Sequence, residues 1–129
     1  MSHVLVVEDH ADTCRLLTRL LHKAGHTVAC AGNGREGTAA LSGARTDVVV
    51  LDLMMPDMDG VEFLETIRSY ARWRSLPVIL VTGAGDNILV TRAQRHGVFR
   101  TFVKGTFDLT KLLAAIDEAT GTVNAPTPG

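Results

Sequence analysis

Short, unbroken runs of apolar residues alternate with longer segments of helical period along the chain, and this alternation constrains the fold more than any other feature. The strongest runs are DVVVLD (47–52) and LPVILVT (76–82), and weaker ones cover residues 3–8, 26–30 and 100–104. Runs that stay apolar throughout are typical of strands that are covered on both faces of a parallel sheet. We therefore predict a parallel sheet of five strands.

A helical segment follows each predicted strand. The periodicity predicts helices over residues 12–24, 35–42, 59–71 and 86–96, and from Asp108 onward. Gly25 is a typical helix stop, and Asp59 with Glu62 has the spacing of a capping box. Asp86 and Asp108 are expected to be N-cap residues. Five strand–helix units in alternation predict an α/β fold with helices on both faces of the sheet, joined by right-handed crossovers.

Length and charge limit the range of functions. A chain of 129 residues fits one domain. Its net charge of −1 gives no reason to expect direct binding of nucleic acid or of a membrane surface. The opening segment MSHVLVVEDH becomes acidic too early for a signal peptide, and the apolar runs are too short to span a bilayer. These features predict a soluble, cytoplasmic domain without membrane insertion.

Two further features concern the cysteines and the end of the chain. Cys14 and Cys30 are too few for a disulfide framework, and we expect both to be reduced thiols. Helical periodicity is lost in TGTVNAPTPG (120–129). We therefore expect a domain over residues 1–119, followed by a disordered tail or the start of a linker over residues 120–129.

Polar side chains occur where the predicted strands end, which is where open α/β sheets bind ligands. Glu8 and Asp9 follow the first strand, Asp52 ends the third, Thr82 ends the fourth and Lys104 ends the fifth. Each alone has an ordinary explanation as a cap, a solvated turn or a surface charge. Together they predict a site. His10 follows the acidic pair, which leaves two interpretations: a residue over the site, or an exposed loop residue, which we expect.

The residue types at these strand ends favour phosphoryl chemistry. Three neighbouring carboxylates repel one another, and a cation or the Lys104 ammonium would offset that repulsion. Oxygen ligands suit Mg²⁺ better than zinc, which prefers histidine and cysteine. A carboxylate beside a divalent ion and an ammonium is well placed to attack a phosphoryl group. This pattern makes Asp52 the candidate reacting group.

The strand-end set, with DLMMPDMDG (52–60) after the third strand, resembles the receiver domain of two-component response regulators. The resemblance covers residues 3–119. It implies a flavodoxin-like, doubly wound sheet of strand order 2-1-3-4-5, flanked by five helices.

The resemblance also implies roles for individual residues. Asp52 is similar to the phosphoacceptor, Thr82 to the switch hydroxyl and Lys104 to the lysine that pairs with the phosphoryl group. The implied cofactor is Mg²⁺, with ligands from Glu8, Asp9, Asp52 and the backbone carbonyl of Met54.

The same resemblance implies a signalling protein rather than a turnover enzyme. Its expected partners are a histidine kinase or histidine phosphotransfer protein and a possible downstream effector protein or domain. Two positions depart from the family pattern: Thr101 replaces an aromatic residue three positions before the lysine, and Gly105 replaces the proline that follows it. The nearest ring, Phe102, is expected on the opposite face of its strand. The Lys104–Gly105 peptide bond is expected to be trans, because a cis bond before glycine costs about 2.5–4 kcal/mol.

These departures leave a second interpretation open, in which an atypical receiver acts without phosphate as a protein-binding module. A small phosphatase-like enzyme is disfavoured, because VLDLMM lacks a second aspartate two positions after Asp52.

Overall fold

The computed structural model describes residues 2–55, 59–83, 87–105 and 108–121, which form strands and helices in alternation. The strands are β1 (His3–Val7), β2 (Thr27–Ala31), β3 (Val48–Leu51), β4 (Val78–Thr82) and β5 (Arg100–Val103). The helices are α1 (Ala11–Lys23), α2 (Gly34–Gly43), α3 (Gly60–Arg68), α4 (Asn87–Gln94) and α5 (Leu109–Thr120), and a short 3-10 turn (Ala71–Trp73) precedes β4.

All neighbouring strands are parallel, in the order β2-β1-β3-β4-β5. Every residue of β3 and β4 is buried. This arrangement confirms the predicted fold class, a flavodoxin-like sheet flanked by five helices. None of the described helices has the length and hydropathy that crossing a bilayer requires.

The sheet separates two hydrophobic cores, because successive residues of a strand point to opposite faces. In β1, Val4 and Val6 pack toward α1 and α5, in a core that also contains Leu21 and Ile116. The alternate residues of β1 belong to a second core, which includes side chains of α2, α3 and α4, with Phe63 fully buried within it. Coverage of both faces is the physical reason that the strand sequences are apolar without interruption.

The local signals for helix ends agree with the structure. The Asp59 side chain accepts a hydrogen bond from the Glu62 N–H, and the Glu62 side chain accepts one from the Asp59 N–H, which confirms the capping box. Gly25 follows α1 with a φ of +95°, a conformation that favours glycine. Asp108 caps α5 by accepting a hydrogen bond from the Thr110 N–H.

The predicted start of α4 and the predicted end of the domain both fall at the edges of the described residues. The expected N-cap of α4, Asp86, lies outside them. Helix α5 continues through Thr120, so it includes the first residue of the expected tail. Residues 122–129 lie outside the described part of the chain, and the domain boundary stays a prediction.

The prediction that both cysteines are reduced thiols is wrong for this structure, in which a disulfide joins Cys14 to Cys30. The crossover from β1 through α1 to β2 lays the first turns of the helix over the edge strand. This packing brings the two Cα atoms to 6.2 Å, within the range that a disulfide can bridge. Composition alone carries no information about this proximity.

Candidate functional site

Two buried carboxylates lie together at the carboxyl ends of β1 and β3. The Glu8 N–H donates to the Ala31 carbonyl at 2.9 Å, and the Asp52 N–H donates to the Val7 carbonyl at 3.0 Å. These bonds continue the sheet ladder past the strand ends and fix both backbones. The side chains of Glu8 and Asp52 are each only 4% exposed, so their charges are largely removed from water.

Lys104 bridges these two carboxylates. Its Nζ lies 3.1 Å from Glu8 Oε1 and 3.3 Å from Asp52 Oδ2. Its backbone N–H donates to the Thr82 carbonyl at 2.8 Å, which ties the end of β5 to β4. Gly105 follows with a φ of +82°, and the Lys104–Gly105 peptide bond is trans, which confirms that prediction. Glycine therefore provides the turn after Lys104 with a conformation that other residues rarely adopt.

The electrostatics of this cluster are unbalanced, because two carboxylates face one ammonium. Burial and the neighbouring Glu8 charge raise the pKa of Asp52 to about 6, although Lys104 and the Met54 N–H act in the opposite direction. Burial also favours the neutral form of Glu8, but hydrogen bonds from His10 and Lys104 outweigh it and lower the pKa of Glu8. The pKa of Lys104 is raised, because its two carboxylate partners outweigh its partial burial. Lys104 thus compensates the charge of one carboxylate, and the uncompensated negative charge is that of Asp52, whose ionised form is destabilised.

Asp9 and His10 lie at the rim of this cluster. His10 Nδ1 is 3.0 Å from Glu8 Oε2 and 3.4 Å from Asp9 Oδ1. The hydrogen bond to Glu8 raises the pKa of the His10 imidazole, and the Asp9 charge adds to this effect. His10 is exposed, as expected, and it also lies at the site, although the sequence did not identify Glu8 as its partner. Its position directly after two acidic residues at a strand end was the available signal.

Thr82 and Met54 complete the set of predicted site residues. Thr82 is buried at the end of β4, directly beside Lys104 through the backbone hydrogen bond described above. The Met54 N–H donates to Asp52 Oδ1 at 3.3 Å, while its side chain is exposed. The structure thus brings both Glu8 and Asp52 into direct contact with Lys104. The chemical roles of the site residues stay predictions.

The donor set at this sheet edge fits a hard divalent cation. Oxygen atoms of Glu8 and Asp9 lie within 4.8 Å of each other and of the His10 ring nitrogen. Asp52 adds a second buried carboxylate that shares Lys104 with Glu8. Carboxylate oxygens with access to water are the ligands that Mg²⁺ prefers, and the excess negative charge favours any cation.

Comparison with known proteins identifies the family. A family model described as the response regulator receiver domain matches residues 4–117. The chain belongs to this family. It is therefore a receiver domain of two-component signalling, and its relatives are signalling proteins. Receiver domains generally bind Mg²⁺ at an acidic pocket, and this chain has an acidic Glu8–Asp9–His10 group.

Individual relatives support the assignment. The chain is 32% identical over 119 residues to the probable chemotaxis protein CheY of Rhizobium etli, covering 92% of each. It is 32% identical over 119 residues to the regulatory protein AtoC of Escherichia coli, covering 92% of this chain but 25% of AtoC. It is 42% identical over 82 residues to the transcriptional regulatory protein TcrA of Mycobacterium tuberculosis, covering 64% of this chain and 32% of TcrA.

Solved structures agree in fold. The receiver domain of a signal transduction histidine kinase from Syntrophus aciditrophicus superposes with a TM-score of 0.85 at 28% identity, covering 98% of this chain and 96% of that one. The chemotaxis protein CheY4 of Vibrio cholerae gives a TM-score of 0.84 at 28% identity, covering 92% of this chain and 98% of that one.

Strand β5 departs from the family pattern at Thr101, which replaces an aromatic residue, and the packing of the strand reflects this replacement. Thr101 is exposed, whereas Phe102 packs against the core formed with α1 and α5. This confirms that the ring lies on the opposite face from Thr101. A receiver with this strand has no aromatic ring at position 101 to move toward the site.

Proposed function

We propose that Asp52 of this receiver domain accepts a phosphoryl group from a phosphohistidine on a partner histidine kinase or histidine phosphotransfer protein, and that the resulting acyl phosphate changes a protein-binding surface. The observation that carries the proposal is the contact of 3.3 Å between Lys104 Nζ and the oxygen of a buried strand-end carboxylate that bears excess negative charge. Such a group is both nucleophilic and already paired with a donor for phosphoryl oxygens.

In the proposed reaction an Asp52 carboxylate oxygen forms a bond to phosphorus while the bond from phosphorus to the imidazole nitrogen breaks. The imidazole keeps the electron pair of the broken bond and takes up a proton. With a pKa of about 6, Asp52 is mostly ionised at neutral pH and is available as the nucleophile. The Lys104 ammonium can exchange its contact with Asp52 for one with a phosphoryl oxygen and keep its contact with Glu8.

We further propose that Glu8, Asp9, Asp52 and the Met54 carbonyl hold Mg²⁺. When bound, Mg²⁺ would neutralise part of the charge on the transferred phosphoryl oxygens. In this proposal the Thr82 hydroxyl binds the phosphoryl group after transfer. We place the domain in the cytoplasm as a signalling component that acts on an effector protein or domain, rather than as a turnover enzyme.

The direct test is labelling with acetyl phosphate and Mg²⁺, followed by intact-mass measurement. We expect one hydroxylamine-sensitive phosphoryl group in the wild type and none in Asp52→Asn. Asp59→Asn is the matched control, because it makes the same exchange nearby and asparagine also serves as an N-cap. Asp57→Asn, outside the described residues, should label as well. Label retained in Asp52→Asn would refute the assignment.

The phosphorylation-independent binding module is the second candidate, and the packing of β5 favours it. Thr101 is exposed and Phe102 packs on the other face, so the aromatic route for signalling is missing. Amide chemical shifts with and without beryllofluoride and Mg²⁺ separate the two functions. A phosphorylation switch should move resonances of α4 and β5, whereas a phosphate-independent module should show changes only beside Asp52.

A further inference from the structure

The disulfide between Cys14 and Cys30 lies beside the acidic site and takes no part in the proposed phosphoryl transfer. Cys14 is in the first turns of α1, five positions after Asp9. Cys30 is on the edge strand β2, and its backbone pairs with Val6 of β1. The bond therefore connects the helix that follows the acidic loop to the strand beside it.

The Cys30 side of this bond is placed for exchange with thiols in solution, whereas Cys14 is buried. Cys30 is exposed, and both cysteines line an open groove of about 750 Å³. Arg15 and Arg19 line the same groove and provide positive charge that attracts small anionic thiols, while Glu8 and Asp9 line its acidic end.

The reduced state would also be accommodated without an unpaired polar group. Cys30 Sγ lies 3.3 Å from the Thr18 hydroxyl oxygen and 3.6 Å from the Cys14 carbonyl oxygen. The Thr18 hydroxyl donates to that carbonyl at 2.8 Å, which leaves its oxygen able to accept a hydrogen bond. A reduced Cys30 thiol would therefore have an acceptor in place. The local structure suits both oxidation states.

The disulfide closes a small ring around the acidic loop. Next to Cys30, the Ala31 carbonyl accepts a hydrogen bond from the Glu8 N–H at 2.9 Å. At the other side, the Cys14 N–H donates to the His10 carbonyl at 3.1 Å. The ring thus runs from Glu8 through His10 to Cys14, across the disulfide and back along β2. Breaking the sulfur–sulfur bond would open the ring and would remove one restraint on the loop that contains Asp9.

We propose that Cys14 and Cys30 form a reversible redox modification site whose oxidised state increases the affinity of the acidic pocket for Mg²⁺. Formation of the disulfide consumes one low-molecular-weight disulfide of the glutathione class. The two protein thiols lose their protons and two electrons, one sulfur–sulfur bond forms between them, and two molecules of the small thiol are released. Cytosolic disulfides are commonly transient and redox-sensing, in agreement with this assignment. The effect on Mg²⁺ rests on the function proposed above.

Pre-organisation determines the direction of the coupling. A ligand loop that is already restrained loses less conformational freedom when it binds the ion, so the disulfide form should bind more tightly. We expect about fivefold tighter binding, at the low end of usual coupling between sites. Linkage requires that Mg²⁺ makes the disulfide harder to reduce by the same factor. For a two-electron couple this corresponds to a midpoint about 20 mV more negative.

The test is a redox titration of the full chain in glutathione buffers with and without saturating Mg²⁺. Samples are quenched in acid, unfolded, alkylated and weighed by mass spectrometry, so the readout is independent of phosphorylation. We expect a reversible two-thiol transition that shifts by about fivefold in equilibrium constant when Mg²⁺ is present. Calorimetric titration of the separate oxidised and reduced forms should give the same ratio in Mg²⁺ affinity.

Two variants separate the parts of the proposal. Cys30→Ser should show no transition and should bind Mg²⁺ like the reduced wild type. Asp9→Asn should keep the redox transition but lose its dependence on Mg²⁺. A pair that stays fully oxidised or fully reduced in all buffers would overturn the redox site alone. Equal or tighter Mg²⁺ binding by the reduced form would overturn the coupling, and no Mg²⁺ binding in either state would refute the coupling and the proposed metal site together.

Discussion

Replacing Asp52 by asparagine should stabilise the metal-free domain at neutral pH, although it removes the candidate phosphoacceptor. The Asp52 carboxylate is buried beside Glu8, and Lys104 compensates only one of the two negative charges. Asparagine keeps the size and the acceptor oxygen that faces the Met54 N–H but lacks the charge. The substitution therefore removes electrostatic repulsion without leaving a cavity.

The magnitude follows from the pKa of Asp52, which rises from its ordinary 3.8 to about 6. Each pKa unit corresponds to 1.36 kcal/mol, so ionisation costs the folded protein up to about 3 kcal/mol above pH 6. The variant does not gain all of this free energy, because Lys104 loses one of its two carboxylate partners. We therefore expect Asp52→Asn to raise the free energy of unfolding by about 1–2 kcal/mol at pH 7.5, or the melting temperature by about 4–8 °C.

The pH dependence gives the prediction its sign. A carboxyl with a raised pKa in the folded state contributes its stability fully below pH 3.8 and loses it as the pH rises to about 6. The advantage of the variant should therefore be present at pH 7.5 and absent at pH 4. Glu8, whose pKa is lowered, has the opposite dependence, but both proteins contain Glu8 and its contribution largely cancels in the difference.

Urea denaturation followed by circular dichroism, in the presence of a chelator and with the disulfide oxidised, measures this difference. Glu118→Gln is the charge-matched control. It removes one negative charge from an exposed position on α5, where a surface ion pair with Arg100 contributes little. We expect less than about 0.5 kcal/mol from it at either pH. The prediction is refuted if Asp52→Asn is no more stable than the wild type at pH 7.5. It is also refuted if the stability gain of the variant at pH 4 is as large as at pH 7.5.

Two further predictions concern the metal and the tryptophan. Mg²⁺ should raise the melting temperature of the wild type, because it binds the native state. In the same thermal scan Asp9→Asn should melt higher than the wild type without metal but respond less to Mg²⁺. If Asp9→Asn melts lower without metal and responds fully to Mg²⁺, the cation binds elsewhere. Trp73 is buried in the turn before β4, at the amino end of that strand and away from the site. Its fluorescence should therefore barely change with Mg²⁺ or beryllofluoride. Strong saturable quenching would contradict this prediction.

The sequence predicted the sheet well because the signal for each central strand is local. Runs such as VVVL in β3 are buried on both faces, and only a doubly covered strand accommodates them. The capping box at Asp59 and the glycine after α1 are equally local, since a few neighbouring residues determine them. Helix α4 has a weaker apolar pattern, and its predicted start falls on residues that the structure does not describe.

The features that sequence reasoning missed depend on contacts between distant elements. Cys14 and Cys30 are separated by 16 positions and meet only because α1 crosses the edge of β2. The contact between His10 and Glu8 depends on how the imidazole ring turns after the strand end. The pairing of Lys104 with Glu8 as well as Asp52 has the same origin, because three different strand ends contribute to it.

These long-range contacts also explain why the candidate site is destabilised in the absence of ligands. Two buried carboxylates share a single ammonium, and the raised pKa of Asp52 reports the remaining repulsion. A cation that binds only the folded protein relieves this repulsion, so the free energy lost in the metal-free state becomes affinity for metal. In the proposed function, an incoming phosphoryl group would compete with Asp52 and Glu8 for the Lys104 ammonium. A substitution that stabilises the metal-free site should therefore weaken the binding of both Mg²⁺ and the phosphoryl group. For this reason we expect stability and metal response to change in opposite directions.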